Sequence, residues 1–117
     1  TTADEFFANH FVTNYCPLVF MESSARNRTP DKLPADERVS LDDACDRHLQ
    51  SVLALLKPKW VVGVGAYAEK CLQRILQTDC CNADLTRILH PSPASPAANK
   101  DWAGKATRQL RTAGIWQ

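Results

Sequence analysis

The sequence lacks a hydrophobic run long enough to cross a membrane. Its longest near-apolar runs have about seven or eight residues, whereas a spanning helix needs roughly 20. The chain also opens without the basic and then apolar segments of a secretory leader. We therefore expect a soluble, unsecreted protein with no membrane partner. With 117 residues, 44% of them hydrophobic and 23% charged, the chain has enough apolar content for one globular core.

A large excess of charge is also missing. The formal net charge is +1, so bulk charge does not indicate a nucleic-acid binder. The distribution is uneven, because residues 31–46 are mainly acidic and residues 85–117 mainly basic. The basic side chains of the second stretch are Arg87, Lys100, Lys105, Arg108 and Arg111. They suit contacts with phosphates, and an ordinary solvated helix face explains them equally well.

The five cysteines lack the spacing of a disulfide framework or a metal site. Their odd number and their scatter over apolar segments favour free thiols in a reducing compartment. Cys80 and Cys81 precede His90, but no C-x-x-C spacing and no fourth ligand accompany them. We expect no metal ion.

Apolar patterns predict alternating strands and helices along the chain. A strand over residues 6–12 should end at Asn14, and an irregular connection should follow over residues 22–39. The predicted elements after it are a helix capped by Ser40 and Asp43 and stopped by Pro58, a strand over residues 60–64, a helix over residues 66–77, a strand over residues 85–89, and a helix capped by Asn99 that ends at Gly114. The inner face predicted for the helix over residues 66–77 consists of Ala68, Cys71, Leu72, Ile75 and Leu76. This alternation predicts an α/β domain over residues 1–117, with a parallel sheet covered by helices.

Two polar residues follow predicted strands. Asn14 lies in Thr13-Asn14-Tyr15-Cys16-Pro17, and His90 lies at the start of a proline-rich stretch that runs to Lys100. Open α/β sheets bind ligands at the carboxyl ends of their strands. We therefore interpret Asn14 and His90 as half of an active site, although either could be an ordinary polar residue at a strand end.

A second motif supports a rival hypothesis. The G-x-G-x-x-A pattern from Gly63 to Ala68 follows a predicted strand, and Asp84 comes about twenty residues later, as in dinucleotide-binding folds. The alternative function is therefore a nucleotide-binding α/β module. Against it, Asp84 lacks a preceding strand, so we favour glycines that only allow a tight turn and close packing.

Four blocks of the chain resemble the single-strand-selective monofunctional uracil-DNA glycosylases. They agree in order and spacing: residues 11–18, residues 27–34, residues 61–65 with Ala68 and Glu69, and residues 90–102 from His90-Pro91-Ser92-Pro93 to Trp102. The resemblance implies the doubly wound α/β/α uracil-DNA-glycosylase fold. It also implies hydrolysis of the N-glycosidic bond of uracil and of modified uracils such as 5-hydroxymethyluracil in DNA, in the first step of base excision repair, without a metal or organic cofactor.

The resemblance also implies roles for individual residues. His90 stabilises the departing base, and Asn14 reads the edge of uracil. The loop that enters the DNA minor groove corresponds to Pro91, Ser92, Pro93, Ala94 and Ser95, and Lys100 adds positive charge at the next helix. Family members often carry a basic residue where this chain has Ala94, so the vacated base stack is filled less well here or by a neighbouring residue.

A motif of the family is absent. These glycosylases position the attacking water with a Gly-Met-Asn-Pro-Gly-Pro type motif upstream of the block that contains Asn14, and these 117 residues contain none. We therefore expect the chain to be the C-terminal portion of a glycosylase, with little or no activity by itself. The full-length protein is expected to act as a monomer on uracil-containing DNA, in the nucleus.

Overall fold

A computed structural model of the protein describes residues 1–18, 20–21, 23–24, 27–28, 33–92 and 100–117. Within it the chain forms two compact units, Thr1–Cys45 and Asp46–Gln117. A single domain over residues 1–117 stays a prediction.

The first unit opens with a short helix, α1, over Ala3–Phe7. Its start is a capping box, in which the Glu5 amide donates to Thr2 Oγ1 at 3.2 Å and the Thr2 amide donates to Glu5 Oε2 at 2.8 Å. The predicted strand over residues 6–12 is therefore wrong. Among the described residues of this unit, no strand pairs with residues 8–14. Without a partner, local capping decides the conformation rather than the β-favouring composition.

Two short strands follow, the first just before the predicted irregular connection over residues 22–39 and the second within it. Strand β1 (Phe20–Met21) pairs antiparallel with strand β2 (Asn27–Arg28), with Phe20 opposite Arg28 and Met21 opposite Asn27. Two-residue strands have no measurable alternation of apolar and polar positions, so the sequence pattern could not reveal them.

The long helix α2 spans Ala35–Leu56. It starts before Ser40, so the predicted cap formed by Ser40 and Asp43 is wrong. The Arg38 amide donates to the Pro34 carbonyl at 2.9 Å, and the acidic residues Asp36 and Glu37 in the first turn favour this earlier start. The helix ends just before Pro58, as predicted.

The second unit contains a parallel pair of strands joined by a helix. Strand β3 (Trp60–Val64) pairs with strand β4 (Asp84–Ile88), in register from Trp60 opposite Asp84 to Val64 opposite Ile88. Helix α3 (Ala66–Leu76) connects them. The predicted strand, helix and strand are confirmed, with β4 one residue earlier than expected. The parallel pair fits the α/β class, and the doubly wound α/β/α architecture stays a prediction.

Helix α4 spans Trp102–Thr112 and closes the chain. Its N-cap is Asp101, not the predicted Asn99, which lies outside the described residues. The Asp101 side chain accepts the Gly104 amide at 3.2 Å, and Asp101 itself has a φ of 51°, which aspartate tolerates better than most residues. On its inner face, Ala106 and Leu110 pack with Ile88 of β4.

The buried apolar side chains of the second unit come from the second part of α2 and from β3, α3, β4 and α4. They are Leu49, Leu53, Val61, Cys71, Leu72, Ile75, Ile88, Ala106 and Leu110. The inner face predicted for α3 is confirmed at Cys71, Leu72 and Ile75. No helix within the described ranges is long and apolar enough to cross a membrane.

Candidate active site

His90 lies two residues beyond the carboxyl end of β4, with an exposed side chain. This is the edge of the parallel sheet where α/β proteins bind their ligands. The pairing of Val64 with Ile88 brings the turn after β3 to the same edge. His90 therefore follows a strand of a parallel sheet, as the sequence predicts, and the structure places it beside the turn between β3 and α3.

Gly65 lies directly against the side chain of His90. Its amide donates to the Ile88 carbonyl at 2.9 Å, and its φ of 91° lies in a region that side chains rarely adopt. A Cβ atom added to Gly65 would lie 3.1 Å from Cβ of His90 and 3.5 Å from its ring carbon Cδ2. The imidazole thus lies against the bare backbone of Gly65, and a side chain at this position would crowd it.

Asn14 belongs to the first unit. It is exposed and lies in a segment without regular structure, not at a strand end as predicted. The next residue is anchored, because the Tyr15 hydroxyl donates to the Asp42 carbonyl of α2 at 3.0 Å. The assignment of Asn14 to uracil recognition stays a prediction.

The residues predicted to contact DNA flank the start of α4 and the end of β4. Pro91 is exposed and Ser92 half-buried directly after His90, and Lys100 is exposed just before the Asp101 cap. The other predicted members of the loop, Pro93, Ala94 and Ser95, lie outside the described residues. Pro91 and Ser92 are thus at the same sheet edge as His90.

Gln109 and Trp102 also belong to this site, and the sequence interpretation gives neither of them a role in it. The Leu89 amide donates to Gln109 Oε1 at 2.9 Å, and the Leu89 carbonyl accepts a hydrogen bond from Trp102 Nε1 at 2.5 Å. Both bonds come from α4 and hold the residue just before His90. An indole with one polar atom is a general signal for such a bond, but its acceptor cannot be read from sequence.

A groove of about 480 Å³ runs between β4 and α4. Its charged lining residues are all basic: Arg87, Lys105 and Arg108. Arg87 also forms an ion pair with Glu69 at 3.3 Å. Leu89 and Gln109 line the same groove, so a positively charged surface adjoins the backbone that leads into His90.

The glycines of the G-x-G-x-x-A pattern have a packing role. A Cβ on Gly63 would lie 2.8 Å from the Glu69 backbone nitrogen, so this glycine lets β3 and α3 approach closely. Asp84 is the first residue of β4 and pairs with Trp60 at the amino end of the sheet. Four residues of strand place it about 13 Å from the Gly65 edge, too far to bind a ribose there. The geometry therefore disfavours the nucleotide-binding hypothesis.

All five cysteines are free thiols, with Cys45 and Cys71 buried. Burial raises the pKa of the Cys81 thiol above its ordinary value of 9.0, and the charge and hydrogen bond of Cys80 raise it further, against a smaller opposing effect of a backbone hydrogen bond with Ala83. Among the residues that the structure describes, no cluster of His, Cys, Asp or Glu could hold a metal ion.

Comparison with known proteins identifies relatives over nearly the whole chain. It is 42% identical over 110 residues to the "Single-strand selective monofunctional uracil DNA glycosylase" of Bos taurus. The corresponding proteins of Rattus norvegicus and Mus musculus are 43% and 42% identical over the same length. These matches cover 94% of the chain and 39–40% of each relative. The chain thus spans about two fifths of the length of these relatives and corresponds to a C-terminal portion of them. No protein-family model matches it.

Proposed function

We propose that this chain is the C-terminal part of a monofunctional uracil-DNA glycosylase, which hydrolyses the bond between uracil and deoxyribose in DNA. The observation that carries the proposal is the 42% identity over 94% of the chain to proteins of that name. The placement of His90 at the carboxyl edge of a parallel sheet supports it independently, because this edge is where such folds bind ligands.

In the proposed reaction His90 stabilises the leaving group. Cleavage of the N-glycosidic bond sends negative charge onto the departing base, chiefly onto its O2 and O4 oxygens. An N–H donor at O2 then stabilises the transition state more than the ground state. The bare backbone of Gly65 beneath His90 supports this role, since it leaves the imidazole exposed and close to the sheet edge.

Asn14 is proposed to recognise the base. Uracil presents an N3–H donor beside its O4 acceptor, and an asparagine amide offers a carbonyl acceptor beside an NH₂ donor. Cytosine would place an acceptor against an acceptor and a donor against a donor. Each buried polar group left unpaired costs about 1–3 kcal/mol, so one side chain discriminates strongly between the two bases.

The basic groove between β4 and α4 supports DNA as the partner. Arg87, Lys105 and Arg108 give a sequence-independent attraction to phosphates, and Lys100 and Ser92 add polar groups near His90. Modified uracils such as 5-hydroxymethyluracil, action on single- and double-stranded DNA, nuclear residence and a monomeric full-length protein belong to the same proposal.

The test is release of free uracil from a uracil-containing oligonucleotide by the protein that carries this chain together with the upstream portion found in its relatives. His90→Ala should lower the rate roughly 10²- to 10³-fold, as for loss of one preorganised donor. Asn14→Ala should lower it about 10- to 10³-fold through two lost hydrogen bonds.

Matched controls exist for both substitutions. His48 of α2 and Asn82 before β4 are exposed, and His48→Ala and Asn82→Ala should leave uracil release unchanged. If the folded wild-type protein leaves the oligonucleotide intact, the proposed function is wrong. If it releases uracil and both site variants match their controls, the function stands and the assigned roles are wrong.

A further inference from the structure

The backbone hydrogen bonds change from the β3–α3 turn to α4 where the chain leaves β4. The Ile88 carbonyl, at the end of β4, accepts a hydrogen bond at 2.9 Å from the amide of Gly65, in the turn after β3. At the next residue both backbone groups of Leu89 are bound by side chains of α4, the amide by Gln109 Oε1 and the carbonyl by Trp102 Nε1. Neither bond is part of the strand pairing. We call Gln109, Trp102 and Leu89 the α4 clamp.

The α4 clamp constrains the conformation of His90 because the Leu89 carbonyl and the His90 nitrogen belong to one peptide plane. Trp102 therefore fixes the plane through which the chain enters His90. On the other side Pro91 disfavours the helical region for the residue that precedes it. The backbone of His90 is restricted at both ends, and Gly65 sets the distance of its Cβ from the sheet edge.

Trp102 is itself held in place by its surroundings. The capping bond between Asp101 and the Gly104 amide fixes the start of α4, and the half-buried indole packs against the cluster of Ile88, Ala106 and Leu110. Substitution by phenylalanine would keep an aromatic ring in that packing while removing the N–H donor and part of the volume of the indole, and the same loss of volume occurs in a Trp→Phe control elsewhere. Gln109 is exposed, so its main structural contribution is its bond to Leu89.

We propose that Gln109 and Trp102 are positioning residues that orient His90 towards the departing base by holding the Leu89 backbone. This inference rests on the proposed glycosylase function. A donor acts best when its position is set before the reaction, and a misplacement of about 1 Å can cost roughly 10²-fold in rate. Because the α4 clamp reaches His90 only through the backbone, its loss should lower kcat and leave KM for the oligonucleotide unchanged.

The experiment measures kcat and KM for uracil release by variants of the protein that carries this chain together with its upstream portion. Gln109→Ala should lower kcat roughly 10-fold and Trp102→Phe roughly 10- to 10²-fold. The effect is larger for Trp102 because its bond lies on the peptide plane of His90. Gln109→Glu keeps an acceptor oxygen for the Leu89 amide and should restore kcat to within about twofold of wild type.

Two control variants repeat these substitutions elsewhere. Gln73 is an exposed glutamine on α3, and Trp60 stands at the amino end of β3, away from His90. Gln73→Ala and Trp60→Phe should both keep the wild-type kcat. In parallel, hydrogen exchange of the Leu89 amide should be several-fold faster in Gln109→Ala than in Gln73→Ala, and this readout does not depend on activity.

The outcomes separate this inference from the function on which it rests. If wild type releases uracil and His90→Ala does not, while the α4 clamp variants keep the kcat of their controls, the positioning role is wrong and the function stands. A raised KM with unchanged kcat would also overturn it, and would mean that Gln109, which lines the basic groove, acts through DNA binding. A wild-type protein that releases no uracil would overturn both the function and this inference.

Discussion

At the scale of single residues, the backbone of Gly65 most directly shapes the candidate site. It combines a positive φ with close approach of His90, whereas Gly114 has a similar φ of 85° and no atom within 4 Å of an added Cβ. The two glycines therefore separate two effects of substitution. At Gly114 only backbone strain is introduced, and at Gly65 the strain is combined with contact against the imidazole.

We predict that Gly114→Ala lowers the free energy of unfolding by about 1–2 kcal/mol, which is the usual cost of a side chain at positive φ. Gly65→Ala should cost more than Gly114→Ala, because strain of about 1–3 kcal/mol is joined by a Cβ placed 3.1 Å from His90. Urea unfolding of both variants measures the difference. Equal losses would show that His90 moves away freely and is not held at Gly65.

The Cys81 thiol gives a prediction on pH. Its pKa is raised above 9.0 by burial first and by Cys80 second, so its thiolate should form at higher pH than that of a cysteine with the ordinary value. Alkylation by iodoacetamide, followed residue by residue against pH, measures this shift. Cys80→Ser should lower the pKa of Cys81 part of the way, because the charge of Cys80 is removed and burial remains.

The same shift has a sign for stability. Above pH 9.0 the unfolded thiol loses its proton while the folded one keeps it, so the folded state loses stability as the pH rises towards the raised pKa of Cys81. Well below pH 9.0 both states hold the proton, and Cys81 should contribute no pH dependence there. A Cys81 alkylation profile with its midpoint at or below 9.0 would contradict the assigned direction.

At the scale of elements, ion pairs between side chains connect neighbouring elements of the second unit. Arg74 of α3 binds Asp46 of α2 through two hydrogen bonds, from Nε at 2.9 Å and from an Nη atom at 2.7 Å. The pair between Arg87 of β4 and Glu69 of α3 has one contact at 3.3 Å. A planar guanidinium held at two points loses less freedom for each bond than one held at a single point.

We predict a coupling energy of about 0.5–1 kcal/mol for Arg74 with Asp46 in a double-mutant cycle with alanine, since the pair is partly exposed. The coupling of Arg87 with Glu69 should be smaller, and both should weaken in 1 M salt. Unfolding free energies of the single and double variants measure each coupling. Larger coupling in the Arg87 pair would contradict the argument from bidentate geometry.

At the scale of the whole molecule, the chain exposes many large apolar side chains. Those with the greatest exposure are Met21 at 65%, Val12 at 72%, Val39 at 70% and Leu55 at 82%. The relatives have about 60% of their length outside the match, since the match covers 40%. We expect part of that length to cover these exposed side chains.

We predict that the 117-residue chain by itself releases no uracil and binds the dye ANS, whereas the protein with its upstream portion releases uracil and binds less dye. We expect this result because the water-positioning motif of the family and the segments that cover these apolar side chains both belong to the upstream portion. Uracil release by the isolated 117 residues at the rate of the longer protein would contradict this prediction.

Local chemistry made much of the second unit predictable. The apolar run of β3, the inner face of α3 and the stop at Pro58 depend on residues close in sequence, and the structure agrees with each. The first unit was less predictable. Residues 6–7 of the strand predicted over residues 6–12 belong to α1, and residues 8–12 form neither helix nor strand. A strand needs a partner strand, which the sequence alone does not supply, whereas a capping box needs only neighbouring residues. The cap predicted at Ser40 was wrong for a similar local reason. A hydrogen bond from the Arg38 amide to the Pro34 carbonyl starts α2 earlier.

The sequence by itself determined the placement of His90 after a strand and the similarity to uracil-DNA glycosylases, because both are patterns along one chain. Only the tertiary structure decided that Asp84 lies at the opposite end of the sheet from Gly65, and that Gln109 and Trp102 hold the backbone before His90. These relations join residues from separate elements. Strand register and helix packing set their distances, and neither leaves a periodic signal in the sequence.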